Sequence, residues 1–319
     1  MLAANAVTVK PIGAALSCAD VEQFQNDGFL LHPESIFDGD TELSLKRIHA
    51  GLEAILNGEY ETGIPPSNAN ALPADLPRDG RLSFDDAAPV LRPGAKPRTT
   101  IHLINAWRCN TTIAQLVTSP QLGVVVGRLM GWEKEGCRVA QDQVWIKPPS
   151  SGPLSFHRDT PYLDFVPKQV CTFWIPFDDI SVPNVGALEY CRGSHRWLDG
   201  RRGSARQFYK PDYTALLRIA AQDEERVRSR SSCSSAPPVD VEVVNTHGCA
   251  GCCSFHNSNT WHGSGPNATN GWRRGIGIHY IRGDATFGED CGKLWQQFRH
   301  ADGTTVLPDV FFPRVALPS

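Results

Sequence analysis

The rhythm of apolar and polar positions changes near residue 138. Upstream the spacing is helical. Ser17 sits where it can cap a helix over residues 18–27, with Gly28 just past the end. Phe29-Leu-Leu-His32 then reads as a short buried strand. Leu43, Ile48, Leu52, Ile55 and Leu56 fall near helical spacing and predict a second helix from Asp40 to Leu56. Gly58 to Lys96 is irregular and rich in Pro and Gly, which in a compact domain marks a functional or mobile loop. Leu103 to Trp107 is expected to pack on the core, and Thr111 to Leu116 and Pro120 to Met130 read as helices, the second opened by Ser119-Pro120.

From Arg138 the period becomes two. Val139, Gln141, Gln143, Trp145 and Lys147 fall on one face of a predicted strand, and Ala140, Asp142, Val144 and Ile146 on the other. Val170 to Phe177, Ala187 to Cys191, Asp240 to Asn245, Cys252 to His256 and Arg274 to Ile281 are further strand candidates. Short strands separated by Gly, Pro and Asn turns predict a β-sandwich or barrel. Arg201 to Pro238 interrupts them with an Arg/Ser-rich stretch containing a predicted helix over Tyr213 to Arg228. It reads either as a lid beside a pocket or as a charged surface loop.

Composition narrows the function classes. A net charge of -3 predicts no bulk affinity for nucleic acid or an anionic membrane surface, and no apolar run approaches the length of a membrane span. The first eleven residues do not read as a secretory signal, and the last four are not a peroxisomal address. With ten cysteines and no such signal, a reducing cytoplasmic location with free thiols is expected.

The candidate chemistry lies in two stretches. His157-Arg-Asp159 would, on a strand, present an imidazole and a carboxylate on one face. His262 adds a second imidazole. Two histidines and one carboxylate are the ligand set of non-haem Fe(II) oxygenases, which leaves positions open for substrate and O2. Arg273 follows across a Gly/Pro/Asn turn. If the flanking runs pair as a hairpin, its guanidinium reaches back to the site, where a planar fork suits a carboxylate.

These residues, with Asp142-Gln-Val-Trp-Ile-Lys-Pro-Pro149, Trp174-Ile-Pro-Phe-Asp-Asp179 and Gly186-Ala-Leu-Glu-Tyr-Cys-Arg-Gly-Ser-His-Arg-Trp197, resemble the phytanoyl-CoA dioxygenase family of Fe(II)/2-oxoglutarate oxygenases, block for block and in order. The resemblance implies a mainly β fold with flanking helices and a double-stranded β-helix (jelly-roll, cupin-like) core. It implies one domain over 1–319: a helical and irregular part over 1–137, the core over 138–290 with the insertion 201–238, and a tail over 291–319. It also implies Fe(II), 2-oxoglutarate as cosubstrate, and O2, with His157, Asp159 and His262 as metal ligands. Arg273 would take the distal carboxylate of 2-oxoglutarate, Ser264 would add a hydroxyl, and Arg274 would point away. Trp174 and Gln143 either contact the cosubstrate or are packed core residues. In related halogenases the position of Asp159 holds a small residue, so its carboxylate favours hydroxylation, here of an aliphatic carbon in a small-molecule or acyl substrate, releasing succinate and CO2.

Three alternatives stand beside this reading. One is a zinc hydrolase using the same His/Asp/His set with a metal-bound water. Another is an inactive jelly-roll binding protein. The third concerns Cys249, Cys252 and Cys253, which form either buried reduced thiols, the favoured reading, or a zinc site with His247 and His256. His102, His195, His247, His256 and His279 are expected to stand outside the metal ligand set.

Overall fold

The helical periodicity is realised in the computed structural model, which describes residues 6–69, 82–84, 100–198, 200, 210–231 and 239–316. Most of the Pro/Gly-rich stretch and both ends of the 201–238 insertion lie outside the described residues. Ser17 and Asp20 form a reciprocal capping box on the helix Cys18–Asp27, which Gly28 ends in the left-handed region. Asp40 caps Thr41–Leu56 through the Leu43 amide, and helices Thr111–Val117 and Pro120–Met130 follow.

The strands are β1 Phe29–His32, β2 Asn68–Ala69, β3 Ile101–Ile104, β4 Cys137–Lys147, β5 Leu154–His157, β6 Phe165–Val166, β7 Val170–Pro176, β8 Leu188–Cys191, β9 Val243–Asn245, β10 Cys253–Asn257, β11 His262–Ser264, β12 Arg273–Arg282, β13 Thr286–Phe287 and β14 Arg314–Ala316. The large sheet runs β1-β10-β7-β12-β4-β3-β2, with β14 also on β4; the small sheet runs β5-β11-β8-β9. All pairings are antiparallel. Two facing antiparallel sheets with the N-terminal helices on one outer side make a jelly-roll core.

Strand alternation decides what each face of the large sheet meets. Val144, Ile146, Phe173, Ile175, Ile276 and Ile278 are buried against helix residues such as Ile48, Leu52, Ile113 and Leu122. The opposite residues, Gln143, Trp145, Lys147, Thr172, Trp174, Arg273 and His279, line the space between the sheets. One face is therefore apolar core and the other a polar, chemistry-bearing wall.

Two expectations about register need correction. The single face predicted for Val139, Gln141, Gln143, Trp145 and Lys147 is broken. His279 pairs with Gln141 and Tyr280 with Val139, leaving Ala140 as the extra residue of a β-bulge. Val139 thus joins the helix-side core while Ala140 packs with Phe165 and Trp295. Nor do the runs holding His262 and Arg273 form a hairpin. β11 pairs β5 and β8, whereas β12 pairs β4 and β7. The chain crosses from one sheet to the other at Asn267, whose Nδ2 donates to the carbonyls of Lys147, Pro148 and Gly271.

The described part of the 201–238 insertion, residues 210–231, ends in the helix Ala215–Ser231. Leu216, Leu217, Ala220 and Ala221 bury against Phe156, Trp197 and Trp261 on the outer side of the small sheet. Among the described residues this helix adds no side chain to the space between the sheets. Residues 291–316 pack back on the core: Trp295 and Phe312 cluster with Phe165 and Phe287.

Candidate active site

His157 is the last residue of β5 and faces His262, the first of β11, as its register partner. Each imidazole donates Nδ1–H to the backbone carbonyl two residues earlier: His157 to Ser155 and His262 to Thr260, both at 2.9 Å. Those bonds fix the tautomer, so both Nε2 lone pairs point inward. Asp159 is not on the strand. It has helical backbone angles at the start of the turn Thr160–Tyr162, and its N–H donates to the Ser258 carbonyl. The expected shared strand face is thus replaced by a strand end followed by a turn. The outcome is the same convergence: Asp159 Oδ1 lies 3.7 Å from His157 Nε2 and 3.5 Å from His262 Nε2. Among the described residues this is the one group of histidine, cysteine and acidic side chains arranged to hold a metal ion, its ligand atoms all within 4.8 Å of one another. Arg158 turns the other way and stacks over Trp261.

The second carboxylate oxygen is held from behind. Thr172 donates its hydroxyl to Asp159 Oδ2 at 2.8 Å, and His256 Nε2 lies 3.2 Å from the same oxygen. Behind them, Tyr190 bonds His256 Nδ1 and Ser254. Burial raises the Asp159 carboxyl, but the His262 charge and bonds from His256 and His262 outweigh it and hold it well below the usual range. Burial and the neighbouring His262 push His157 down to about 3. Burial also lowers His262, yet Asp159 reverses the sign and leaves it raised.

Arg273 is 2 % exposed. It donates Nε and Nη2 to the Gly186 carbonyl at 3.0 and 2.8 Å and approaches Ser264 Oγ at 3.3 Å. Its Nη1 has no partner, and neither does the buried Trp174 Nε1. The guanidinium carbon stands 5.2 Å from the Trp174 ring centre. Two unsatisfied buried donors facing one space call for an acceptor from a ligand. Arg274 points away as expected and pairs with Asp178 on the helix side. Gln143 also faces the space, its Oε1 3.2 Å from His102 Nε2. Sequence reasoning left Lys147, Thr172 and His279 without a role and gave His256 one only in the zinc alternative, although all four line the same walls.

The site has two sides. One holds Arg273, Ser264, Trp174 and Lys147. The other is lined by His102, Gln141, Trp145, Tyr162, Leu163 and Leu294. His157, Asp159, Gln143, Trp145 and His279 line both, and His262 lines the first. Cys252 and Cys253 are buried, but Cys249 is exposed, contrary to the expectation for all three, and each is a free thiol.

Fold and site together define a cupin-like jelly roll with a centre of two histidines and one carboxylate. The family model described as phytanoyl-CoA dioxygenase (PhyH) matches residues 24–275, and the chain belongs to that family. A probable alpha-ketoglutarate-dependent hypophosphite dioxygenase of Stutzerimonas stutzeri is 26% identical over 198 residues; the match spans 61% of this chain and 63% of that relative's length. Among solved structures, the non-heme alpha ketoglutarate dependent carbocyclase SnoK from nogalamycin biosynthesis superposes with a TM-score of 0.65 at 20% identity, over 97% of this chain and 99% of its own. The epimerase SnoN in complex with Fe3+, alpha ketoglutarate and nogalamycin RO gives 0.62 at 16% identity, over 93% and 97%. EctD from S. alaskensis with 2-oxoglutarate and 5-hydroxyectoine gives 0.56 at 17% identity, over 98% and 92%. At these identities the structural likeness concerns the fold.

Proposed function

We propose that the protein is an Fe(II)- and 2-oxoglutarate-dependent dioxygenase that hydroxylates an aliphatic carbon of a small-molecule or acyl substrate. The observation that carries this is the pairing of His157, Asp159 and His262 with unpartnered donors on Arg273 and Trp174 in the same enclosed space. The residues fit both groups. Two inward Nε2 lone pairs and one carboxylate oxygen suit a six-coordinate iron and leave three positions open. A guanidinium with one free Nη suits a carboxylate.

When bound, iron and 2-oxoglutarate supply the O2-dependent oxidative decarboxylation that releases succinate and CO2 and drives hydroxylation. His157, Asp159 and His262 hold the metal. Thr172 and His256 hold Asp159 Oδ2 so that Oδ1 faces the histidines. Arg273, Ser264 and Trp174 hold the distal carboxylate, with Gln143 between cosubstrate and substrate. The Tyr162 side takes the substrate. Its described walls carry no lysine or arginine, and their one formal charge is Asp159.

The test is stoichiometry. Substrate turnover should consume O2 and release succinate in a coupled ratio. Product formed under strict anaerobiosis with Zn(II) would overturn the proposal in favour of hydrolysis, and absence of 2-oxoglutarate turnover would leave a binding protein.

A further inference from the structure

Lys147 is the register partner of Arg273 across β4 and β12 and is 1 % exposed. A buried ammonium normally has a carboxylate. Among the described residues none bonds this one. Its Nζ donates to Ser264 Oγ at 2.7 Å, to the Ser264 carbonyl at 3.4 Å and to the Gly265 carbonyl. Glu189 acts on it only through its field; that carboxylate accepts from Tyr213 and Asn245. The chain thus buries two basic side chains side by side, one of them with an unsatisfied N–H, in a wall of neutral acceptors, and burial together with the neighbouring Arg273 pushes the Lys147 ammonium well below its usual range.

Hydrogen-bond direction makes this arrangement informative. Lysine and arginine can only donate. Ser264 Oγ receives Lys147 Nζ on one side and Arg273 Nη2 on the other. With both acceptor positions taken, the hydroxyl proton is turned away from both donors and is free for an acceptor in the space that Ser264 lines with Arg273 and Trp174, whose Nη1 and Nε1 also lack partners.

We infer that Lys147 is a positioning residue for the cosubstrate: it orients the Ser264 hydroxyl as the third donor to the distal carboxylate. The inference rests on the proposed assignment of the Arg273 side to 2-oxoglutarate. A purely structural lysine, tying the crossing between the sheets, would satisfy the same carbonyls but have no bearing on which oxoacid binds.

The experiment separates these cases. Calorimetry with Mn(II)-loaded protein measures binding of 2-oxoglutarate and of 2-oxobutyrate, which keeps the oxoacid end and lacks the distal carboxylate. Lys147→Met should weaken 2-oxoglutarate roughly tenfold to a hundredfold, the range for a lost hydrogen bond to a charged group, and leave 2-oxobutyrate within about twofold. Lys147→Gln, which keeps a neutral donor, should recover part of the loss. In Ser264→Ala, Lys147→Met should cost less than in the parent, because the oriented hydroxyl is already gone. Equal losses for both oxoacids, or no loss for either, would overturn the inference. If Lys147→Met does not fold, Lys147→Gln, alone and in Ser264→Ala, decides by the same criterion. Parent protein that binds 2-oxobutyrate as tightly as 2-oxoglutarate would remove the underlying assignment of the Arg273 side, a failure visible before any Lys147 variant is made.

Discussion

Thr172 holds Asp159 by one hydrogen bond, 2.8 Å from hydroxyl to Oδ2, and this leaves Oδ1 turned toward His157 and His262. Threonine oxygen also contacts His279 Nδ1 at 2.9 Å, so one side chain links the carboxylate to the neighbouring strand. Thr172→Val keeps the shape and removes the donor. Metal affinity should fall about 10- to 100-fold, the range for losing a partner that orients a ligand. Titration with Mn(II) checks this; unchanged affinity would show that the turn at Asp159 alone sets the carboxylate.

Arg273→Ala should raise the apparent 2-oxoglutarate constant roughly 30-fold or more, since a buried guanidinium–carboxylate pair loses about 2–5 kcal/mol when one partner goes. Metal binding should survive. Arg274→Ala should change the constant little, because that side chain is engaged with Asp178 on the other face. Saturation curves for the two variants check the strand register.

How much of this was legible beforehand follows the range of the interactions. Helix limits depend on local signals, and Ser17, Asp40 and Pro120 placed three of them within a residue. The metal-type triad was legible as residue types in order. Its geometry was not, because the Asp159 turn is held by Ser258, a hundred residues away. Long-range pairing also hid the sheet crossing between His262 and Arg273, and the bulge at Ala140 depends on the partner strand. Thr172 and His256 carry no motif of their own; only the approach of β7 and β10 to β5 brings them to Asp159. Lys147 stood on the correct strand face, but its role needs the distance to Ser264.

Gly275 lies under Trp174. A Cβ there would come within 2.6 Å of the indole ring. Gly275→Ala should therefore displace Trp174, cost about 1–3 kcal/mol of stability as overpacking does, and weaken 2-oxoglutarate binding. Denaturant unfolding and calorimetry measure the two effects; a variant with parental values in both would mean that the Trp174 ring is not confined as described.

Burial pushes His102 down to about 4, against a hydrogen bond that its Nε2–H donates to Gln143 Oε1, which raises it. A histidine whose folded pKa is depressed stabilises above its unfolded value, and the contribution is lost as pH falls through the folded one. The stability of the parent should therefore drop between pH 6.5 and about 4 more steeply than that of His102→Asn. Parallel curves across that window would place the imidazole in a wetter setting than the Trp145 stack provides.

The most direct measurement is the visible spectrum of the protein with Fe(II) and 2-oxoglutarate in the absence of O2. The account predicts a weak charge-transfer band in the parent, loss of the band in His262→Ala, and a band in Arg273→Ala that reaches parental strength only at higher 2-oxoglutarate. A full-strength band in His262→Ala would contradict the assignment of His157, Asp159 and His262 as the iron site.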